Sequence, residues 1–499
     1  MIREYYKKIT EGEDIRANLI ALKEQLQEES SRRAFAYLLG GEFSVLCDLL
    51  KHEDPKVRRN AARVLGQMES EDVLPELFEA YVKEETRFIR ADYLKAMAAM
   101  ECEAYADQLE ERLEELRKLD AAPEEKKHIS EEIRMLQMLV MKYKKKQHHK
   151  FSGQKSEEDI ILVTNRCQRE ATARQISQMH QVKKENITLL AGGVRVRGIK
   201  PKDVLNIRTY SELLFPLVSP ELPGDDPEAM GRLAAGPLLE KLENLHEPGE
   251  AFTIRIELKG KIPSEKKGAY IRKISDALEK ASDGKLINSV TDYEAELRLL
   301  EKKDGTYVPM LKLYTVSDNR FAYRKEVIAA SVAPVNAALT AELARPWLKE
   351  GAQILDPFCG VGTMLVERNK AVPAGIMYGI DIYGEAIEKA RNNGAHAGCR
   401  INYINKDFFE FEHGYLFDEV ITNLPQVTAQ KTKQEIAALY KDFLKKITVH
   451  LKKEAILILY VQEAQLLKEA LQKNGGYKVE KTYLINEKNN TSVYVLSRK

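Results

Sequence analysis

GAQILDPFCGVGTMLVERN (351–369) decides how the rest of the chain is read. A short apolar run ends in an acid, Asp356, passes into a glycine-containing turn, and gives way to helical sequence from about Thr363. Gly360 and Gly362 let backbone approach a ligand closely at the carboxyl end of that strand. Two alternatives fail on spacing. There is no GxxxxGK[ST], which argues against a P-loop, and the third glycine of GxGxxG falls on Leu365, against the hydride-enzyme fingerprint.

Downstream, MYGIDIY, DEVITNL and AILILYV are further short apolar strands, each separated from the next by helical sequence. Residues 326–499 therefore have the rhythm of a doubly wound, Rossmann-like α/β domain. Asp381 ends the second strand, where an acid can accept both hydroxyls of a ribose. Asp407, in INKDFFEF, follows the next short strand, where an adenine amine would lie. NLPQ (423–426) ends the fourth strand. Any one of these acids alone would be an ordinary surface group; in this order they line one edge of a sheet.

At 499 residues the chain is too long for one core, and two to four domains are expected. With 44% hydrophobic and 31% charged residues it reads as a globular protein, and a net charge of +1 confines any nucleic-acid surface to a local patch. Five scattered cysteines without a CxxC pair support neither a zinc site nor a disulfide framework, so no metal is expected and a reduced, cytoplasmic setting fits. The N-terminus lacks an apolar signal core, and no run of 18 apolar residues occurs, so no membrane association is expected.

Residues 1–150 look entirely helical. KVRRNAARVLGQM (56–68) and FIRADYLKAMAAM (88–100) align at an offset of 32, with Val57 on Ile89, Arg58 on Arg90 and Asn60 on Asp92. Paired apolar helices with a period near 30 mark a helical solenoid of HEAT-like repeats, with residues 15–40 and 103–147 acting as caps. Arg58, Arg59, Arg63 and Arg90 read as a solvated face, with docking of nucleic acid or protein as the alternative. KYKKKQHHK (142–150) reads as a solvated helix end or linker, or else as a phosphate-contacting strip. FSGQKSEED continues as a polar linker into a central zone, 155–325, where strand and helix alternate as in an α+β module. Its clearest elements are the strand IILVTN, the hairpin ITLLAGGVRVRG with a Gly-Gly turn, the loop SPELPGDDPEAMG (219–231), the strand FTIRIELKG, and a hairpin over 295–314 turning at Asp304-Gly305.

DPFCGVGT, YGIDIYGEAIEKARNN, INKDFFEF and ITNLPQ resemble motifs of class I S-adenosylmethionine-dependent methyltransferases, specifically the RNA amine methyltransferases that carry a THUMP domain. AGGVRVRGIKPKDVLNIRTYSELLFPL (191–217) is similar to that family's ferredoxin-like segment leading into THUMP, and SDNRFAYRKEVIAASVAPVNAALTAELA (317–344) to its joining segment. The resemblance covers about 155–499 and is strongest over 317–426; the helical N-terminus is an added module. It implies S-adenosylmethionine as cofactor and an RNA substrate. Asp356 would neighbour the methionine end of the cofactor, together with Ser331 and Pro334. Phe358, Gly360, Gly362 and Thr363 would form the turn around it. Asp381 with Ile382 would hold the ribose, and Asp407 the adenine amine with Phe408 against the ring. Cys359 would be a packing residue of the turn.

An exocyclic base amine is a weak nucleophile because its lone pair is delocalised into the ring. The side-chain oxygen of Asn423 and the carbonyl of Leu424 can accept its two hydrogens, orient the nitrogen and favour positive charge developing on it. Pro425 stiffens the turn that presents them. The family nearly always has an aromatic at the position of Gln426, stacking on the target base, a contact worth about 1–3 kcal/mol. Its loss predicts roughly 10- to 100-fold weaker handling of the base unless another ring substitutes. Tyr383, Phe409 and Tyr440 are candidates, with core packing the plainer role for each. The leading expectation is methylation of guanine in tRNA or ribosomal RNA. The alternatives are a non-catalytic RNA-binding scaffold whose repeats recruit a protein partner, or an enzyme acting on DNA adenine or a protein glutamine.

Overall fold

The computed structural model describes residues 1–499 except 118, 120, 121, 123, 144–147, 180, 181 and 330, and except the side chains of 117 and 141. The chain divides into two compact units, Met1–Gln147 and His148–Lys499. Among the described residues no helix is long and apolar enough to cross a membrane.

Among the described residues, the first unit is built of helices alone. Its central helix, Pro55–Met68, starts where Asp54 accepts the Lys56 amide and Pro55 occupies the first turn. The helix Arg87–Met97 lies against it so closely that a Cβ on Gly66 would come within 2.7 Å of Ala96 Cα. Val57, Leu65, Ile89 and Met97, aligned by the 32-residue offset, share one core. The arginines depart from the expected solvated face. Arg58 donates two hydrogen bonds to the Glu84 carboxylate, at 2.8 and 2.7 Å, and another to the His52 carbonyl at 2.7 Å. Arg59 and Arg63 converge on buried Asp92 at 2.9 and 2.8 Å. Arg90 is buried, 3.3 Å from Glu132 and over the Tyr81 ring. These cations tie helices to one another, because the acids that meet them stand one repeat further along the chain. Of the basic strip 142–150, Lys144–Gln147 lie outside the described residues. His149 is buried, with Nδ1 2.7 Å from Glu294 and its ring stacked on Phe252.

The second unit holds two sheets. The first contains β1 (Glu158–Thr164), β2 (Ile187–Leu190), β3 (Gly193–Ile199), β4 (Tyr210–Pro216), β5 (Phe252–Lys259), β6 (Leu286–Asn288), β7 (Ala295–Glu301) and β8 (Tyr307–Leu313), in the order β2-β3-β1-β4-β8-β7-β5-β6. The β2–β3 hairpin pairs Leu190 with Gly193, so its turn is Ala191-Gly192 rather than Gly-Gly. Gly193 belongs to the strand, where a Cβ would meet the Leu162 carbonyl oxygen at 2.3 Å. The loop expected over 219–231 ends early. Asp226 accepts the Ala229 amide and Pro227 opens a 19-residue helix, Pro227–Leu245. Asp followed by Pro is a helix start as much as a loop signal.

The second sheet contains β9 (Ile354–Asp356), β10 (Met377–Asp381), β11 (Ile401–Asn405), β12 (Phe417–Asn423), β13 (Leu451–Val461), β14 (Tyr477–Asn486) and β15 (Thr491–Arg498), in the order β11-β10-β9-β12-β13-β15-β14. The first five are parallel, and a C-terminal antiparallel hairpin completes the edge. The chain runs outward from β9 through β10 to β11, then returns to the other side of β9 as β12. The crevice between the carboxyl ends of β9 and β12 is the topological switch point, where open α/β sheets bind ligands. The two sheets are joined at Glu367, fully buried on the helix Thr363–Ala371. Its carboxylate accepts two hydrogen bonds from Arg208 and one from Tyr323, each 2.7 Å.

Candidate active site

At the end of β9, Asp356 is fully buried. One carboxylate oxygen accepts the Phe358 amide at 3.1 Å, and the Thr422 hydroxyl faces the carboxyl group. Burial, with the Asp381 charge adding to it, pushes its pKa up to about 7. Gly360 and Gly362 have φ of 51° and 81°, backbone that disfavours a side chain. The Tyr403 ring lies against Gly362, where a Cβ would meet its hydroxyl at 2.2 Å. Cys359 points into the core, and burial raises its thiol pKa well above the ordinary value, consistent with packing rather than nucleophilic attack. Thr363 opens the helix with its hydroxyl buried and unpartnered.

Asp381 faces this turn from β10. One of its oxygens accepts the Gly360 amide at 2.9 Å and the other the Tyr383 amide at 3.0 Å. Each keeps a further lone pair. Ile382 beside it is 59% exposed. Asp407 caps a short turn by accepting the Phe409 amide at 2.9 Å. Phe408 differs from expectation. Its ring is buried among Phe358, Phe443 and His450, because the tight turn after Asp407 directs it into the core. At 2% exposure it offers no ring face to an adenine. The joining segment is held by Asn393, a fully buried residue that accepts the Glu326 amide and donates to the Glu326 and Val361 carbonyls. In that segment Ser331 Oγ accepts the Ile328 amide at 2.9 Å, and Pro334 begins the helix Pro334–Ala344.

The NLPQ turn is pinned on both sides. The Leu424 amide donates to the Tyr460 carbonyl at 3.0 Å, and the Tyr440 hydroxyl donates to the Pro425 carbonyl at 2.7 Å. Tyr440 is fully buried, so it positions the turn and cannot stack on a base. Asn423 and Gln426 are half-buried. The Gln426 Oε1 atom is covered and unpartnered, while the hydroxyl of Thr422 faces the Asp356 carboxyl group. Two buried atoms remain unpartnered where the chain leaves β9 and β12, Thr363 Oγ1 and Gln426 Oε1. Each such atom costs about 1–3 kcal/mol, and folded proteins hold few of them. Their gathering at the switch point fits a ligand rich in donors and acceptors. Thr422, Asn393 and Tyr403 escaped the sequence reading, and Tyr440, weighed there as a stacking ring or a core residue, takes the core role with an unforeseen hold on the turn. Those three stand in or beside quoted motifs, whereas only the fold brings Tyr440 to Pro425.

Residues 324–492 match the family described as RMKL-like, methyltransferase domain, and residues 43–121 match HEAT repeats. TrmN from Thermus thermophilus is 20% identical, with a TM-score of 0.54 over 68% of this chain and 99% of its own. SMU.472, solved in complex with SAH, is 14% identical, with a TM-score of 0.51 over 68% of this chain and 98% of its own. A predicted N6-adenine-specific DNA methylase from Listeria monocytogenes is 15% identical, with a TM-score of 0.50 over 69% of this chain and 96% of its own. Residues 324–492 are thus a methyltransferase domain on a Rossmann-like sheet, and HEAT repeats occupy 43–121.

Proposed function

We propose that the chain is an S-adenosylmethionine-dependent RNA methyltransferase acting on an exocyclic base amine, N2 of guanosine in tRNA or ribosomal RNA. Residues 326–499 form the catalytic domain, 155–325 a THUMP-like RNA-binding module, and 1–150 a HEAT-like domain that docks a protein partner in the cytoplasm. The observation that carries the proposal is the series Asp356, Asp381 and Asp407 at the carboxyl ends of β9, β10 and β11, beside a pinned Asn-Leu-Pro turn at the end of β12. The SAH held by the similarly folded SMU.472 supports the cofactor.

The glycine turn and the buried carboxyl group of Asp356 fit the amino-acid end of S-adenosylmethionine, Asp381 its ribose, and Asp407 its adenine amine. Bound there, the cofactor supplies an electrophilic methyl group on a sulfonium. The chain's own contribution is placement. Asn423 Oδ1 and the Leu424 carbonyl accept the two hydrogens of the target amine, so its lone pair is aimed and its developing charge is met by oxygen dipoles. Tyr440 and Tyr460 keep those acceptors from drifting.

Gln426 favours a second reading, in which the fold binds RNA and cofactor without transferring methyl. Two measurements decide. Isothermal titration with S-adenosylmethionine tests the cofactor site, and tritium transfer to total RNA from a strain lacking the gene tests the reaction. Binding without label, unchanged in Asn423→Ala, would establish the non-catalytic reading.

A further inference from the structure

We propose that the side-chain oxygen of Gln426 accepts a hydrogen bond from the ring N1–H of the target guanine, making this residue the reader of base identity; this rests on the function proposed above. Gln426 follows a turn fixed by Tyr460 on one side and Tyr440 on the other, so its backbone position is set. Its Oε1 is covered yet takes no hydrogen bond. A residue that merely filled the space of the usual aromatic would be apolar, without a stranded acceptor. The residue as a whole is half-buried, so rotation about its own side-chain torsions brings the oxygen to a ligand.

The order of acceptors then matches one base. Asn423 Oδ1 and the Leu424 carbonyl receive the two hydrogens of an exocyclic amine, and Gln426 adds a further acceptor two residues along the same turn. Guanine presents a ring N1–H directly beside its N2 amine, donor next to donors. Adenine N1 and cytosine N3, beside their own exocyclic amines, carry no hydrogen and would face the Gln426 oxygen lone pair to lone pair. Recognition by hydrogen bonding replaces the sequence-tolerant stacking of an aromatic, and a polar site of this kind discriminates strongly because the wrong base leaves it unpaired.

The test uses the full-length protein and unmodified transcripts of tRNA and ribosomal RNA, with nucleoside mass analysis of the product. N2-methylguanosine is expected. At the methylated position, 2-aminopurine keeps the 2-amine but has no N1 hydrogen. The wild type should transfer to it about 10- to 100-fold more slowly than to guanine. Gln426→Met should slow guanine transfer by the same factor, leave SAH affinity unchanged, and lose the preference for guanine over 2-aminopurine. Gln426→Glu, which keeps an acceptor, should retain most of the guanine transfer. Equal wild-type rates on guanine and 2-aminopurine, or a product of N6-methyladenosine or N4-methylcytosine, would overturn the assignment while leaving a methyltransferase standing. Absence of transfer to every RNA would overturn the proposed function itself, and this inference with it.

Discussion

Cofactor affinity should rise with pH, and Asp356 should be the reason. In the free protein this buried carboxyl has a pKa of about 7 because burial removes it from water. At pH 6 about one molecule in eleven carries the carboxylate, and at pH 8 about ten in eleven. A ligand whose cationic amino-acid end binds only the ionised form therefore gains about tenfold in affinity between those values. The stability sign runs the other way. The folded pKa lies above the unfolded one, so the group's contribution is fully present below about pH 4 and is lost as pH rises through about 7. Asp356→Asn should thus raise the melting temperature of the ligand-free protein at pH 8 while weakening cofactor binding. Titration calorimetry with SAH at pH 6, 7 and 8 on wild type and Asp356→Asn separates the effect from the ligand's own α-amino titration, which both proteins share. A pH slope in the variant equal to that of the wild type would refute the reasoning.

Three further perturbations follow from the contacts. Tyr440→Phe removes the hydroxyl that holds the Pro425 carbonyl; it should cost about 1–3 kcal/mol of stability by thermal melting and lower kcat more than it weakens SAH binding by calorimetry. Gly362→Ala combines a φ of 81° with a Cβ 2.2 Å from the Tyr403 hydroxyl, so cofactor affinity should fall at least tenfold by calorimetry. Glu84→Ala strands Arg58 inside the helical repeats; it should destabilise the first unit by about 3–5 kcal/mol in denaturant titrations, without a selective loss of RNA affinity below the melting point.

The carboxyl edge of the second sheet was legible because each strand is a short apolar run that stops at an acid or a glycine. Gly360, Asp381 and Asn423 therefore stand at strand ends or in the turn beyond them, as expected. What local pattern could not supply was the partner of a side chain. Arg58 looks like any solvated cation until Glu84, 26 positions away, is brought against it. Tyr440 and Pro425 are 15 positions apart and meet only because the helix Lys433–Thr448 packs back on the sheet. Phe408 was misjudged for a similar reason, since a single tight turn decides which of two adjacent rings enters the core. The C-terminal hairpin β14–β15 and the helix starting at Pro227 went unread, the second because its capping Asp and Pro also signal a loop.

The most direct test is transfer of labelled methyl from S-adenosylmethionine to RNA from a strain lacking the gene, with nucleosides resolved by mass. The chemistry assigned to Asn423 predicts N2-methylguanosine with the wild type and at least a hundredfold less with Asn423→Ala, the loss expected when a group that places the reacting nitrogen is removed. Cofactor binding by both proteins with no labelled nucleoside from either would contradict it.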